Sequence, residues 1–353
     1  MIRKEVYYQR NSIPAQLWTS LDTYKNDKKS EQYFESNGFR YRYVPEWAKW
    51  PDELWGYAVS GMAIDANGYL YASVRCKDSP IAVFDKDGQY VRSLGQNLPV
   101  AKLHGLFIDA DQTIWVADDT QHVIFHLRKD GKQLGMLGKL GQPSDTGYDS
   151  TYRSPEDNSP PTPVRIVDET GNLVEVLASN TAYLSVKRLG EPFNKPTRLI
   201  RSADGRMFAT DGYGNAAVHC FDSSGSFVCS WGGPGREPGH FSIPHSLWCD
   251  KRQHLWVCDR ENNRMQVFST EGQLLKVIDN LYFPCDVWSD EQYVYVYEGE
   301  GRISIYNMDY ELLAQIGYWQ CSCLTAHSMT GDSDGNLYVA DFGIKSIFKL
   351  ERM

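Results

Sequence analysis

The chain repeats itself, and an internal repeat restricts the fold more tightly than any composition does. One phrase returns six times: a turn carrying Asp and often Gly or Asn, then a short aromatic-rich strand that ends at or near Asp. The copies occupy 64–71, 108–118, 202–211, 249–259, 289–296 and 332–341. Each continues into a further strand such as Ile81-Ala82-Val83-Phe84, a Gly-containing turn such as Asp87-Gly88, and a fourth strand such as Gln273-Leu274-Leu275-Lys276-Val277-Ile278. Short alternating strands between turn signals read as antiparallel β-structure. Four of them in about 40 residues make one blade of a β-propeller. The expected fold is therefore all-β, a six-bladed propeller.

The register can be counted from the residue five places before each turn Asp, or its equivalent. These anchors are Ser60, His104, Thr197, His245, Cys285 and His327, spaced 44, 93, 48, 40 and 42 residues apart. The long interval implies an insertion at about 142–194. It holds the Ser/Pro-rich stretch 154–161 and two β-rich runs, Val164–Val167 and Leu173–Leu177, that read as a hairpin. It lacks the repeat phrase, so it reads as an excursion over one face rather than a seventh blade. The sixth copy has only three strands before the chain ends. Its fourth is expected from Phe39-Arg40-Tyr41-Arg42-Tyr43-Val44, which closes the ring and removes the sheet edges. Residues 39–353 are thus the expected propeller, and 1–38 an arm with a weak helix signal near Ile13-Pro14.

Three anchors are histidine, in the second, fourth and sixth blades. Alternate blades of a six-membered ring stand a third of a turn apart, and the anchor begins the innermost strand. His104, His245 and His327 should therefore converge on the channel axis. With 8 histidines in 353 residues, three on one alternating register is a rare coincidence. Three neutral imidazoles with an open position suit catalytic zinc. The other five histidines read as structural.

The loop between a blade's second and third strands opens on the same face. Fourteen residues past the anchor it carries Asp118, Asp211, Asp259 and Asp341, a recurring Asp that reads as a cap for loop amides. Just beyond stand three residues that break the pattern: Arg75, Arg260 and Tyr213. Arginine suits bidentate capture of a carboxylate. A tyrosine beside a metal and cations has a reason to ionise early and act as a base. Cys285 occupies an anchor position, but buried thiols are the ordinary reading for this chain's cysteines. The Gly-rich turn Trp231-Gly232-Gly233-Pro234-Gly235 lacks the strand-to-helix setting of a phosphate loop.

Charge narrows the partners. Lys and Arg number 36 and Asp and Glu 45, a net charge of −9, which argues against nucleic acid or an anionic membrane. No apolar run reaches membrane-spanning length. The first residues show no apolar signal segment, and 8 cysteines then point to reduced thiols in a cytoplasm.

The stretch Lys195-Pro196-Thr197, Asp211-Gly212-Tyr213-Gly214-Asn215, Pro238–Leu247 with Ile243-Pro244-His245-Ser246, and Asp259-Arg260-Glu261-Asn262-Asn263-Arg264 resembles the peptidyl-α-hydroxyglycine α-amidating lyases. Val59–Asp65 and Leu103-His104-Gly105-Leu106 are similar to them as well. The resemblance implies a six-bladed propeller of NHL-type repeats, covering about 50–350 with the insertion unmatched. It implies zinc on His104, His245 and His327, with Arg75, Arg260 and Tyr213 on the substrate side. It implies cleavage of the N–Cα bond of a C-terminal α-hydroxyglycine, giving an amide and glyoxylate. In that scheme a Lewis acid lowers the pKa of the substrate hydroxyl, Tyr213 takes its proton, and the arginines orient the carboxylate. The substrate is then a peptide or small molecule with an α-hydroxy acid end. The family's structural Ca2+ uses carbonyls matching Met62 and Leu106 and an Asp directly after the third histidine. Ser328 stands there, so structural Ca2+ is not expected. The family's disulfides are not reproduced either. Ureidoglycolate shares the N–C(OH)–carboxylate core and is an alternative substrate. Two further alternatives are a non-catalytic NHL binding platform, which predicts no metal, and a propeller lactonase, which predicts acidic calcium ligands that these anchors lack.

Overall fold

A computed structural model describes residues 32–157, 162–167, 173–299, 301–317, 326–341 and 346–353. The helix signal near Ile13-Pro14 lies outside them. The described residues are all-β apart from the short 3-10 turns Asp52–Leu54, Ala182–Ser185 and Arg260–Asn262. Six antiparallel sheets span 59–94, 103–138, 196–232, 244–278, 284–317, and 326–352 with 32–44. They are blades 1 to 6. Their first strands are Val59–Ile64, Leu103–Ile108, Pro196–Arg201, Pro244–Cys249, Pro284–Ser289 and Ala326–Gly331. Each packs on the first strand of the next blade, and the sixth returns to the first, so the ring is closed around a central channel. Among the described residues no helix is long and apolar enough to cross a membrane.

The repeat phrase has a physical reason. One oxygen of the turn Asp accepts the amides two and four residues on, and the other accepts a polar hydrogen from the aromatic residue six on. Asp250 takes the amides of Arg252 and His254 at 2.8 and 2.9 Å and the indole of Trp256 at 2.9 Å. Asp332 does the same with Asp334, Asn336 and the Tyr338 hydroxyl, as does Asp65 with Asn67, Tyr69 and Tyr71. The carboxylate thus closes the turn and pins the second strand's aromatic ring at once. Apolar side chains then fill the spaces between blades, one cluster at each of the six interfaces.

Phe39–Val44 pairs antiparallel with Ser346–Arg352, Tyr41 opposite Arg352, and joins the two ends of the chain in blade 6. Beyond it Gln32–Ser36 adds a fifth strand, Phe34 opposite Tyr41. The propeller therefore begins earlier than residue 39. Phe34 and Phe39 are buried with Tyr41, Trp288 and Tyr295 in the blade 5–6 interface, which gives the extra strand its anchor. The insertion is not a blade: Thr162–Val167 and Leu173–Ala178 form a separate two-stranded hairpin.

Tyr41 is fully buried at the closing seam. Tyr41→Ala should cost about 3–5 kcal/mol by deleting a core aromatic. Urea unfolding is expected to show the lower midpoint, with exposed strand edges favouring aggregation on heating.

Candidate metal centre

The anchor of every blade sits at a break in strand register: Val59/Gly61, Leu103/Leu106, Pro196/Arg198, Pro244/Leu247, Pro284/Asp286 and Ala326/Ser328. A β-bulge leaves one residue out of the ladder and re-aims its side chain. Here it turns six side chains toward the channel. His104, His245 and His327 meet there, almost wholly buried at 2%, 2% and 7% exposure. Their ring centroids are 4.6 to 4.9 Å apart, and one nitrogen of each lies within 4.8 Å of the others.

Each imidazole is oriented by the next blade. His104 Nδ1 donates to the carbonyl of Thr197 at 2.7 Å, His245 Nδ1 to that of Cys285 at 2.6 Å, and His327 Nδ1 to that of Ser60 at 2.8 Å. The three acceptors are the three anchors that are not histidine. A carbonyl only accepts, so Nδ1 carries the hydrogen and Nε2 keeps its lone pair. Anchor hydroxyls continue the belt: Ser60 Oγ donates to Leu103 O at 2.6 Å and Thr197 Oγ1 to Pro244 O at 3.0 Å.

Tyr213 Oη lies 3.0 Å from His104 Nε2 and 2.8 Å from His245 Nε2. One phenol proton is shared among more lone pairs than it can satisfy. That surplus of buried donors, with each ring's other nitrogen bonded to a carbonyl, suits a divalent first-row cation. Burial holds all three imidazoles neutral. His104 is pushed down to about 3, by burial first and then, against the pull of Asp119, by Arg75. His245 and His327 lie well below the usual range, burial again leading, followed by Arg260 and His104 for the one and His104 and His245 for the other.

The structure brings Arg260 to Tyr213, with Nη1 at 3.5 Å from Oη and the guanidinium 5.4 Å from the ring. Its other side faces the Phe283 ring at 4.5 Å, and Glu261 at 3.3 Å holds Nη2. Arg75 acts electrostatically on all three histidines and on Tyr213. Burial raises the Tyr213 pKa and outweighs the pull of Arg260 and Arg75, so the chain's own residues keep it protonated.

Sequence reasoning missed Asp119 and Lys102. Asp119 is fully buried, and Lys102 Nζ lies 3.0 Å from it and 5.8 Å from the Tyr213 ring. Lys102 and Lys195 lead in holding the Asp119 carboxyl down at about 2, against its burial. Its position was available as a signal: Asp119 has the same offset from its anchor as Arg75 and Arg260. The recurring Asp behaves as expected in blades 2, 3 and 4, and the side chain of Asp341 lies outside the described residues. Asp118 accepts the amides of Ala101, Lys102, Thr120 and Gln121, and Asp211 and Asp259 accept those of Asn194 and Ser242. Four other histidines have structural partners: His122 with Lys195, His126 stacked on Trp115, His219 with Ser230, and His254 with Tyr310. Cys285 is buried, its thiol pushed up to about 12, so it stays protonated beside the site. Cys220 and Cys229 face each other across a strand pair as reduced thiols. The insertion leans on this face, with Thr146 Oγ1 donating to Gly214 O at 2.6 Å and Tyr183 Oη to Glu261 at 3.3 Å.

Comparison with known proteins agrees with the fold. A family described as a 6-bladed beta-propeller matches residues 193–315. Peptidylglycine alpha-amidating monooxygenase of Rattus norvegicus is 29% identical over 201 residues, 55% of this chain but 16% of that protein. NHL repeat-containing protein 3 of Mus musculus is 28% identical over 245 residues, 66% of this chain and 59% of that protein. The probable peptidyl-alpha-hydroxyglycine alpha-amidating lyase pgal-1 of Caenorhabditis elegans is 24% identical over 236 residues, 60% of this chain and 55% of that protein. The chain thus matches between about a sixth and three fifths of these relatives' lengths. Among solved structures, a streptogramin B lyase superposes with a TM-score of 0.56 at 16% identity, over 91% of this chain and 98% of that one. A Xanthomonas campestris gluconolactonase superposes with a TM-score of 0.57 at 16% identity, over 92% and 96%. At that identity they speak for the fold alone. The chain is a six-bladed propeller, similar to an NHL repeat-containing protein and distantly similar to the amidating lyases.

The buried imidazoles also set an acid limit. Unfolded histidine titrates near 6.5, whereas His104 is held to about 3. Between those values the unfolded chain binds a proton that the folded chain refuses, so stability falls as pH drops below 6.5. Each such histidine withdraws at most about 1.4 kcal/mol per pH unit. Thermal melting of chelator-treated protein at pH 7.5 and 5 should show this loss, and His245→Asn should make it shallower.

Proposed function

We propose that the chain is a zinc-dependent carbon–nitrogen lyase. It cleaves the N–C bond of a carbinolamide resembling peptidyl-α-hydroxyglycine and releases an amide and glyoxylate. The observation that carries this reading is the meeting of three buried Nε2 lone pairs, the Tyr213 hydroxyl and the Arg260 guanidinium at one end of the channel. The amidating lyases among the distant relatives support the same chemistry.

His104, His245 and His327 hold the metal, which supplies a Lewis acid beside Tyr213 when bound. Arg260 and Arg75 take the substrate carboxylate, Arg260 from a position fixed by Glu261 and Phe283. The reaction needs no net proton. The hydroxyl loses one, the C–N bond breaks toward nitrogen, and the departing amide nitrogen gains one. Tyr213 is placed to carry it. Its phenol is protonated in the chain alone, and a cation held at the Nε2 cluster would lower its pKa. The Asp119–Lys102 pair sits behind His104 and keeps a buried negative charge near that ring. A cytoplasmic setting, in which thiols stay reduced, is part of the same proposal.

Purified protein should contain one zinc per chain, and His245→Ala should lose it on elemental analysis. Glyoxylate release from an N-acyl α-hydroxyglycine tests the activity, with ureidoglycolate run beside it. Tyr213→Phe should lower kcat by about 10²–10⁴-fold with little change in KM, the range for one general acid–base group. Arg260→Ala should chiefly raise KM. Turnover of neither substrate by zinc-loaded protein would remove the lyase reading, and metal-free wild type would remove the zinc.

A further inference from the structure

Next to the histidine ring in the chain comes a second ring of residues: Gly61, Gly105, Arg198, Ser246, Asp286 and Ser328, each following its blade's anchor. Asp286 is 2% exposed and its carboxylate is saturated. Oδ1 accepts Arg198 Nη1 at 2.6 Å, Ser246 Oγ at 2.6 Å and the Val287 amide at 2.9 Å. Oδ2 accepts Ser328 Oγ at 2.8 Å and the Met329 amide at 2.9 Å. Ser328 Oγ in turn accepts the Met62 amide at 3.1 Å. One carboxylate thus joins blades 3, 4, 5 and 6, and reaches blade 1 through a single hydroxyl.

Every partner is a direct sequence neighbour of the histidine belt or lies within two residues of it. Arg198 follows Thr197, whose carbonyl orients His104. Ser246 follows His245, and Ser328 follows His327. Asp286 itself follows Cys285, whose carbonyl orients His245. In all four blades the anchor itself falls in the register break, and Arg198, Asp286 and Ser328 are the first residues paired again, so the ladder does not fix the anchors. Something else must hold them. Glycine at the two remaining places lets neighbouring backbone close in: a Cβ on Gly105 would lie 2.4 Å from Thr197 O, and one on Gly61 2.3 Å from His104 O.

We propose that Asp286, with Arg198 as its counter-ion, is a positioning residue for the metal site. It sets the spacing and aim of the three histidines and provides, with an internal guanidinium, the cross-blade organisation that a second bound cation would otherwise supply. The proposal rests on reading the histidines as metal ligands. It separates from a plain stabilising ion pair in one respect. A buried pair can be replaced by neutral groups with little loss of stability, but the histidine geometry then loses its reference point.

Cobalt(II) titration of chelator-treated protein is the test, read by its visible absorption and without any substrate. Arg198→Met/Asp286→Asn removes both charges together. It should melt close to wild type yet bind cobalt at least about tenfold more weakly, with a shifted absorption band, as outer-shell changes do. Should that variant not fold, Ser246→Ala and Ser328→Ala each remove one bond to the carboxylate and should each weaken cobalt binding several-fold. Wild-type affinity and spectrum in the double variant, or in both serine variants, overturns the proposal. No cobalt binding by the parent chain removes the metal reading itself, and this proposal with it. EGTA at calcium-stripping concentration should leave the wild-type melting temperature unchanged; a large drop would mean that a second cation does the organising.

Discussion

An imidazole has two nitrogens, and what one of them does decides what the other can do. In this chain each channel histidine spends its Nδ1 hydrogen on a carbonyl that belongs to the next blade. The lone pair on Nε2 therefore exists as a consequence of two blades standing at the right distance. Three such bonds alternate around the ring, with Ser60 and Thr197 hydroxyls bonding the blades between. The site is thus a property of the closed ring rather than of any blade. This gives the seam at Phe39–Val44 and Ser346–Arg352 a functional meaning: blade 6 carries His327, and blade 1 supplies the carbonyl that orients it.

Much of this arrangement was legible in the sequence because propeller blades are nearly equivalent. A residue's place relative to its blade's turn Asp gives its place in space, so His104, His245 and His327 could be assigned to one axis by counting. The same count brought Arg75, Arg260 and Tyr213 to that face. What stayed hidden follows from the same logic. Arg198, Ser246, Asp286 and Ser328 share an offset but no residue type, so no pattern marks them as one network. Asp119 follows the repeating Asp118 and shares the offset of Arg75 and Arg260 but not their residue type. Phe34 belongs to a strand with no repeat phrase, and only its burial beside Tyr41 and Trp288 draws 32–36 into the ring. The raised pKa of the Tyr213 phenol in the chain alone stayed hidden because proximity to arginine is visible in a sequence and depth of burial is not.

The electrostatics invert between the molecule and its site. The chain carries a net charge of −9, yet the end of the channel holding the histidines is lined by Arg75, Arg260 and Lys102, with Asp119 and Glu261 as the facing carboxylates. The arginines act twice on the same atoms. Their charge makes protonation of the histidines still costlier than burial alone, which keeps the Nε2 lone pairs available. The same charge opposes a bound cation. A carboxylate entering between Arg75 and Arg260 relieves that opposition, because it neutralises the guanidiniums while they are still close to the ligands. On the proposed function, metal and anionic substrate should therefore strengthen each other's binding. The Asp286 network beside the histidines fits this division: it fixes distances with an internal ion pair of its own, and leaves the cations at the histidine end to the ligand.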